Sequence, residues 1–332
     1  MPTTAPVVPF PSPESGESSG PNPLASTLSP RRRWSERLAT SWMIASLVVA
    51  SIPLLLVLGV LIVKGSSMVA TVDWWTKDIP SNIASGALAS QEAQEAFGNT
   101  GTVREVEVVY GMAPAIVGTL ITTGVAALLA IPLGILAAVY LNEYGGKSRS
   151  ASIIRFFTDV MTGVPSVVMG IFVYTVWVLT FEERGRSGLA GGLALACLML
   201  PVVVRSTEEM LRLVPDSLRQ ASAALGAPKW KTTLGVVVPA ATPGITSGSM
   251  LAIARAAGET APILFTVGVV TATNFSLFGQ NTTLSAQIFG NATQPGGEAM
   301  AWGAALTLIL IVMVFTLAAR WISGRFAVRI DG

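Results

Sequence analysis

Residues Arg205 to Pro239 read RSTEEMLRLVPDSLRQASAALGAPKWKTTLGVVVP, a polar segment set between two hydrophobic runs of membrane grade. From Glu208 to Leu213 polar and apolar residues alternate at helical spacing. Pro215 and Asp216 then open a second helix, with Leu218, Ala221, Ala224 and Leu225 on one face. That helix stops at Gly226, Ala227 and Pro228, a helix-end signal. Lys229, Trp230 and Lys231 follow, and an apolar run is closed by Pro239. Two short helices joined by a glycine turn at a membrane surface make a rigid knob suited to docking on another protein. An ordinary amphipathic helix lying on the bilayer is the plainer reading.

The whole composition agrees with a membrane setting. Of 332 residues, 51% are hydrophobic and only 12% charged, far more apolar than a soluble domain. With no histidine and one cysteine, the usual zinc, triad and disulfide constellations are excluded. Cys197 lies inside an apolar run and reads as a small core or lipid-facing residue. No catalytic residue and no metal ligand is expected.

Residues 1–30 hold eight prolines and six serines and almost no large apolar side chain. Residues 1–37 are therefore read as a disordered tail, ending in Arg31, Arg32, Arg33 and Arg37. The rest, residues 38–332, reads as a transmembrane domain. Its first apolar run, 42–63, spans about 33 Å at ~1.5 Å per residue, enough to cross a bilayer. It is too long, and lies too far along, for a cleaved signal peptide. Further spans are expected at about 113–139, 158–181, 188–204, 243–270 and 300–322. A break is expected near Gly163 to Ser166. Between the first two spans lies an outer loop, 64–111, with Trp74 and Trp75 placed like interfacial aromatics and a short strand possible at 103–110. Gly145, Gly146, Lys147 and Ser148 invite an ATP-loop reading, which fails: Leu141 stands where a glycine is required, and a span precedes the motif instead of a strand.

Basic residues orient these spans. With the N-terminus inside, inner segments carry fifteen lysines and arginines and outer segments five. That asymmetry puts the segment 205–239 in the cytoplasm. The remaining basic residue, Arg255, lies within a span. It sits twelve residues after Pro243, about 18 Å along a helix and so near mid-membrane. Glu259 is one turn further on the same face. A central arginine costs at least ~2.5 kcal/mol, so it faces a partner or a wet pathway. A structural Arg–Glu pair locking helices is one reading. A station for an anionic substrate is the other, since the planar guanidinium donates two parallel hydrogen bonds to an oxyanion.

Two resemblances sharpen the reading. Gln220, Ala221 and Ser222, then Gly226 and the run 236–239, resemble the Glu-Ala-Ala coupling loop of ABC importer permeases, with Gln220 and Ser222 departing from its usual glutamate and second alanine. The resemblance makes Gln220, Ala221, Ser222, Ala224, Leu225, Gly226, Pro228, Lys229 and Pro239 the contact to a cytoplasmic ATPase. Arg255 followed by residues 258–262 (GETAP) is similar to the PstA-type permease of the phosphate-specific ABC importer. So are Ile116 to Thr119, Pro132 to Ile135, Glu143 to Gly145, residues 164–174 and Leu200 to Met210. The likeness is good over about 113–270. It implies an all-α polytopic membrane protein of six transmembrane helices, with the type I ABC importer permease fold and both termini cytoplasmic. It implies a substrate pathway at Arg255, Glu259 and Thr260, in the cytoplasmic membrane of a bacterial cell. Implied partners are a PstC-type permease, two cytoplasmic ATPase subunits that hold ATP and magnesium, and an extracytoplasmic phosphate-binding protein. The chain itself would be no enzyme, would hold no cofactor and would bind no nucleic acid. The alternatives are an importer for sulfate or molybdate and a secondary anion transporter, for which a coupling loop would have no use.

Overall fold

The computed structural model describes residues 30–80, 110–146, 148–182, 185–294 and 296–326. Among them every regular element is a helix. The expected tail up to residue 29, and all but Tyr110 of the possible strand at 103–110, fall outside them.

The chain divides into two compact units, one up to Val57 and one from Leu58. The first unit holds the opening part of α1 (Pro30–Val69). This helix begins within the segment expected as tail, because Pro30 has its φ set for a first helical residue. Along it, Trp42, Leu47 and Leu54 are exposed, as apolar side chains facing lipid would be.

In the second unit a short helix α2 (Val72–Thr76) follows the end of α1. Here one expectation is corrected: Trp74 is fully buried and does not sit as an interfacial aromatic. Its indole Nε1 donates to Thr307 Oγ1 at 2.8 Å, and Gly303 leaves the room, since a Cβ there would meet the ring at 2.7 Å. Trp75, by contrast, is exposed and donates to the Val69 carbonyl.

The core is built on α3 (Ala113–Val139) and α6 (Gly188–Arg212). Gly191 and Gly192 bring α6 within contact of Thr122 and Val125 on α3, and Gly134 does the same against Val203. Small residues of this kind let helix backbones approach without a hydrophobic solvent effect to drive them. α3 runs on through a π-helical segment, Tyr140–Gly145. The third span is two helices, α4 (Arg149–Gly163) and α5 (Ser166–Val173), the latter extended by π and α turns to Phe181. They meet at 107°, so the break expected near Gly163 to Ser166 is a sharp elbow. Pro165 holds Val164 extended (ψ 130) and removes the N–H that would continue the ladder.

Two boundaries differ from expectation. Residues 205–212 belong to α6, and the next span already starts at Lys229, so the connector is shorter than 205–239. It consists of α7 (Asp216–Ala224) and its flanking turns. The following rod comprises α8 (Lys229–Thr232), a π segment (Thr233–Val237) and α9 (Val238–Ala257). The wider π turn sits just before Pro239, where the missing N–H would otherwise break the ladder. At the far end, α9 stops at Ala257 instead of running to Val270. Gly258 and Pro262 end it, and a separate six-residue helix α10 (Ala261–Thr266) follows. Hydropathy runs straight through this point; the backbone does not.

Between α10 and the last span lies a further helix, α11 (Leu284–Ala292), whose N-cap Thr283 accepts from the Ala286 N–H at 3.3 Å. Thr283 before Leu284 and Ile288 was the available signal for it. The last helix is α12 (Glu298–Phe326). Among the described residues five helices are long and apolar enough to cross a membrane, six with the bent pair, which makes this a multi-pass membrane protein.

Candidate functional site

Ala252 and Ala256 pack one face of α9 into the core formed with α3 and α6, and Ala257 is buried beside them. Arg255 lies on the other face, two residues before the helix ends. Its Nε stands 3.6 Å from Glu259 Oε1, an ion pair longer than a hydrogen bond. The guanidinium is 68% exposed while the carboxylate is 19% exposed. The arginine therefore keeps most of its donors turned away from its own chain.

Glu259 is held by its backbone. Its N–H donates to the Ala256 carbonyl, and its own carbonyl accepts from Ser285 Oγ of α11 at 3.0 Å. Thr260, half-buried, is the N-cap position of α10, and its carbonyl accepts from the Leu264 N–H. α10 is seated against α5 at one tight point: a Cβ on Gly170 would come within 2.6 Å of Pro262 Cα. Arg255, Glu259 and Thr260 thus share one helix break, clamped by α5 and α11. Below the arginine, α9, α6 and α12 line a cavity of about 680 Å³ that carries Ser206, Thr246, Ser247 and Arg320.

The residues read as the coupling contact come together on a second site. Gln220, Ala221, Ala224, Leu225, Gly226, Pro228 and Lys229 are all exposed around the α7–α8 turn, while Pro239 is half-buried in α9. Gly226 adopts φ +76, the left-handed conformation that favours glycine, with open space where a Cβ would be. Leu218 turns inward, against the cluster of Leu141, Leu211, Val214 and Val237, while Ala221, Ala224 and Leu225 stay exposed. Ser222, in place of the usual alanine, shares a 2.9 Å hydrogen bond with Thr232.

A charge network missed by sequence reasoning supports this second site. Glu208, 12% exposed, pairs with Arg155 and Arg212. Arg219 pairs with Glu143 at 2.9 Å. Arg205 pairs with Asp159. The sequence marked these arginines only as inner-side charges, because Glu143, Arg155 and Asp159 lie far back in the chain. The helical run before these glycines ends at Gly146 (φ +47), so a helix and not a strand precedes it.

Comparison with known proteins adds to the geometry. Residues 130–330 match the family of binding-protein-dependent transport system inner membrane components. The chain is 45% identical over 295 residues to the phosphate transport system permease protein PstA 1 of Mycobacterium tuberculosis (strain CDC 1551 / Oshkosh), covering 88% of this chain and 90% of that protein. It is 42% identical over 304 residues to PstA of Mycobacterium leprae, covering 90% and 92%. Among solved structures, an inward-facing MetNI methionine ABC transporter superposes with a TM-score of 0.56 at 15% identity, over 65% of this chain and 95% of that one. A bacterial alginate ABC transporter superposes with a TM-score of 0.51 at 12% identity, over 88% and 97%. At those identities the superpositions speak for the fold alone.

Proposed function

This chain belongs to the binding-protein-dependent transport system inner membrane components, and from that membership we propose that it is the permease subunit of an ATP-driven importer of inorganic phosphate. The relatives named as phosphate permeases align over nearly their whole length, and the helical architecture agrees with ABC importer permeases. One observation carries the substrate to particular residues: an arginine turned outward from its own core, paired at 3.6 Å with a carboxylate at a clamped helix break.

Arg255 holds phosphate oxygens through its forked donors, and Glu259 accepts from the proton that phosphate still carries near pH 7. Thr260 borders the same break. The other wall of the pathway belongs to a PstC-type permease, toward which the exposed guanidinium turns. Two cytoplasmic ATPase subunits bind and hydrolyse ATP with magnesium, and the α7–α8 knob receives their motion. An extracytoplasmic binding protein delivers phosphate, and the assembly sits in the cytoplasmic membrane.

Uptake by vesicles containing the partner subunits tests this. Phosphate accumulation that requires ATP and the binding protein is the expected result. Accumulation driven by an ion gradient without ATP would make the chain a secondary transporter. Equal uptake of sulfate or molybdate would change the substrate.

A further inference from the structure

The coupling helix α7 has no fully buried residue, and its apolar hold on the core is the half-buried Leu218. The rest of what holds it is polar. Arg219, 21% exposed, donates from Nη1 to the Val214 carbonyl at 2.7 Å and to Asp216, and from Nη2 to the Leu211 carbonyl at 3.0 Å and to Glu143 Oε1 at 2.9 Å. The two carbonyls belong to the end of α6 and the turn after it, where backbone acceptors lack helical partners. Glu143, only 8% exposed, sits in the π-helical end of α3 and also accepts from Asn142. A π turn inside a helix is a frequent mark of a functional element.

The other end of α3 is also tied. Thr119 Oγ1 accepts from the Leu284 N–H of α11 at 2.9 Å, deep in the core. The next residue, Ser285, donates to the Glu259 carbonyl at 3.0 Å. Between Thr119 and Glu143 lie about 36 Å of continuous helix at ~1.5 Å per residue. Resting on the transport reading above, we propose that α3 is the rod that carries coupling-helix movement to the substrate site, with Arg219–Glu143 as its lower joint and Thr119–Leu284 as its upper one. Arg219, Glu143 and Thr119 are positioning residues; none touches substrate. Movement of α7 shifts the end of α3, and the upper joint passes that shift through α11 to the backbone of Glu259.

The test uses the complete transporter in proteoliposomes, with phosphate moved per ATP hydrolysed as the readout and assembled complex measured beside it. Glu143→Gln keeps an acceptor and loses the charge; Thr119→Val loses the acceptor for the Leu284 N–H. Each is expected to assemble and to lower phosphate per ATP at least about fivefold, the lower end of typical coupling energies. The double variant is expected to lose little more than either single one, because one rod is already disconnected. Thr119→Ser, which keeps the hydroxyl, retains wild-type coupling. If Glu143→Gln fails to assemble, Arg219→Lys, which loses the fork, takes its place in the cycle. Losses that multiply, wild-type coupling in both single variants, or losses matched by missing complex overturn the proposal. Gly226→Asp in the same assay separates the two levels. If it too couples normally, the docking knob is misplaced; if it uncouples while the α3 variants do not, only the rod fails.

Discussion

Arg255 and Glu259 stand 3.6 Å apart across a helix end, but they belong to different surroundings. The glutamate is largely enclosed and its backbone is anchored by α9 and α11, whereas the arginine is mostly exposed. Here one charge is fixed and the other is left able to reach beyond the chain. That asymmetry suits a site where an anion exchanges with a carboxylate for the same guanidinium.

Gly226→Asp should leave insertion and assembly intact while uncoupling transport from ATP hydrolysis. The position has φ +76, where a side chain strains the backbone, and it sits on the exposed face of the knob, where on the proposed reading a new carboxylate would meet the docking partner. Phosphate-stimulated ATPase activity in reconstituted complexes is the measurement. Stimulation equal to wild type would remove the knob from the coupling path.

Gly170→Ala should destabilise the protein by about 1–3 kcal/mol, the usual range for forced overpacking. Its new Cβ would lie 2.6 Å from Pro262 Cα, and a backbone atom on a six-residue helix wedged in the core has little freedom to retreat. Thermal unfolding in detergent should show a lower midpoint. Since α10 carries Thr260 as its N-cap position, transport should fall with it.

Trp74→Phe should cost about 1 kcal/mol by removing the hydrogen bond to Thr307. Trp74→Ala should cost about 3–5 kcal/mol, because it empties a site that Gly303 opens for the indole. Denaturation midpoints of the two variants check the order. Equal and small losses would mean that the segment after α1 is not anchored through this residue.

What the sequence revealed and concealed follows from the range of each signal. The knob was legible because its determinants are local: a glycine at a left-handed turn, prolines at helix starts, small residues on a short helix. The elbow at Val164 was legible for the same reason, through Pro165. The end of α9 was not read, although Gly258 and Pro262 stand in the text, because Ala261 to Val270 remain apolar and hydropathy cannot report a broken backbone. Trp74 was misplaced because nothing near it in sequence shows that Gly303 leaves space for its ring. Arg219 and Glu143 are 76 residues apart; their pairing is a consequence of α3 and α6 packing side by side, which no linear spacing contains.

The two residues of the helix break make the sharpest prediction, through Glu259→Gln. Phosphate near neutral pH still offers a proton to a carboxylate acceptor, and sulfate does not. On the proposed reading, Glu259 with its charge intact repels sulfate and accepts from phosphate, a discrimination made by penalising the wrong anion. Glutamine removes the repulsion, so sulfate should begin to compete for uptake when the selecting binding protein is bypassed. If Glu259 serves only to neutralise Arg255 between transport events, the variant should leak or stall with its preference unchanged. Competition assays with labelled phosphate in proteoliposomes distinguish the two. Arg255→Lys should weaken uptake by losing the fork, and Arg255→Ala should abolish it. Wild-type phosphate uptake by Arg255→Ala in an assembled complex would place the pathway elsewhere and leave the pair a structural one.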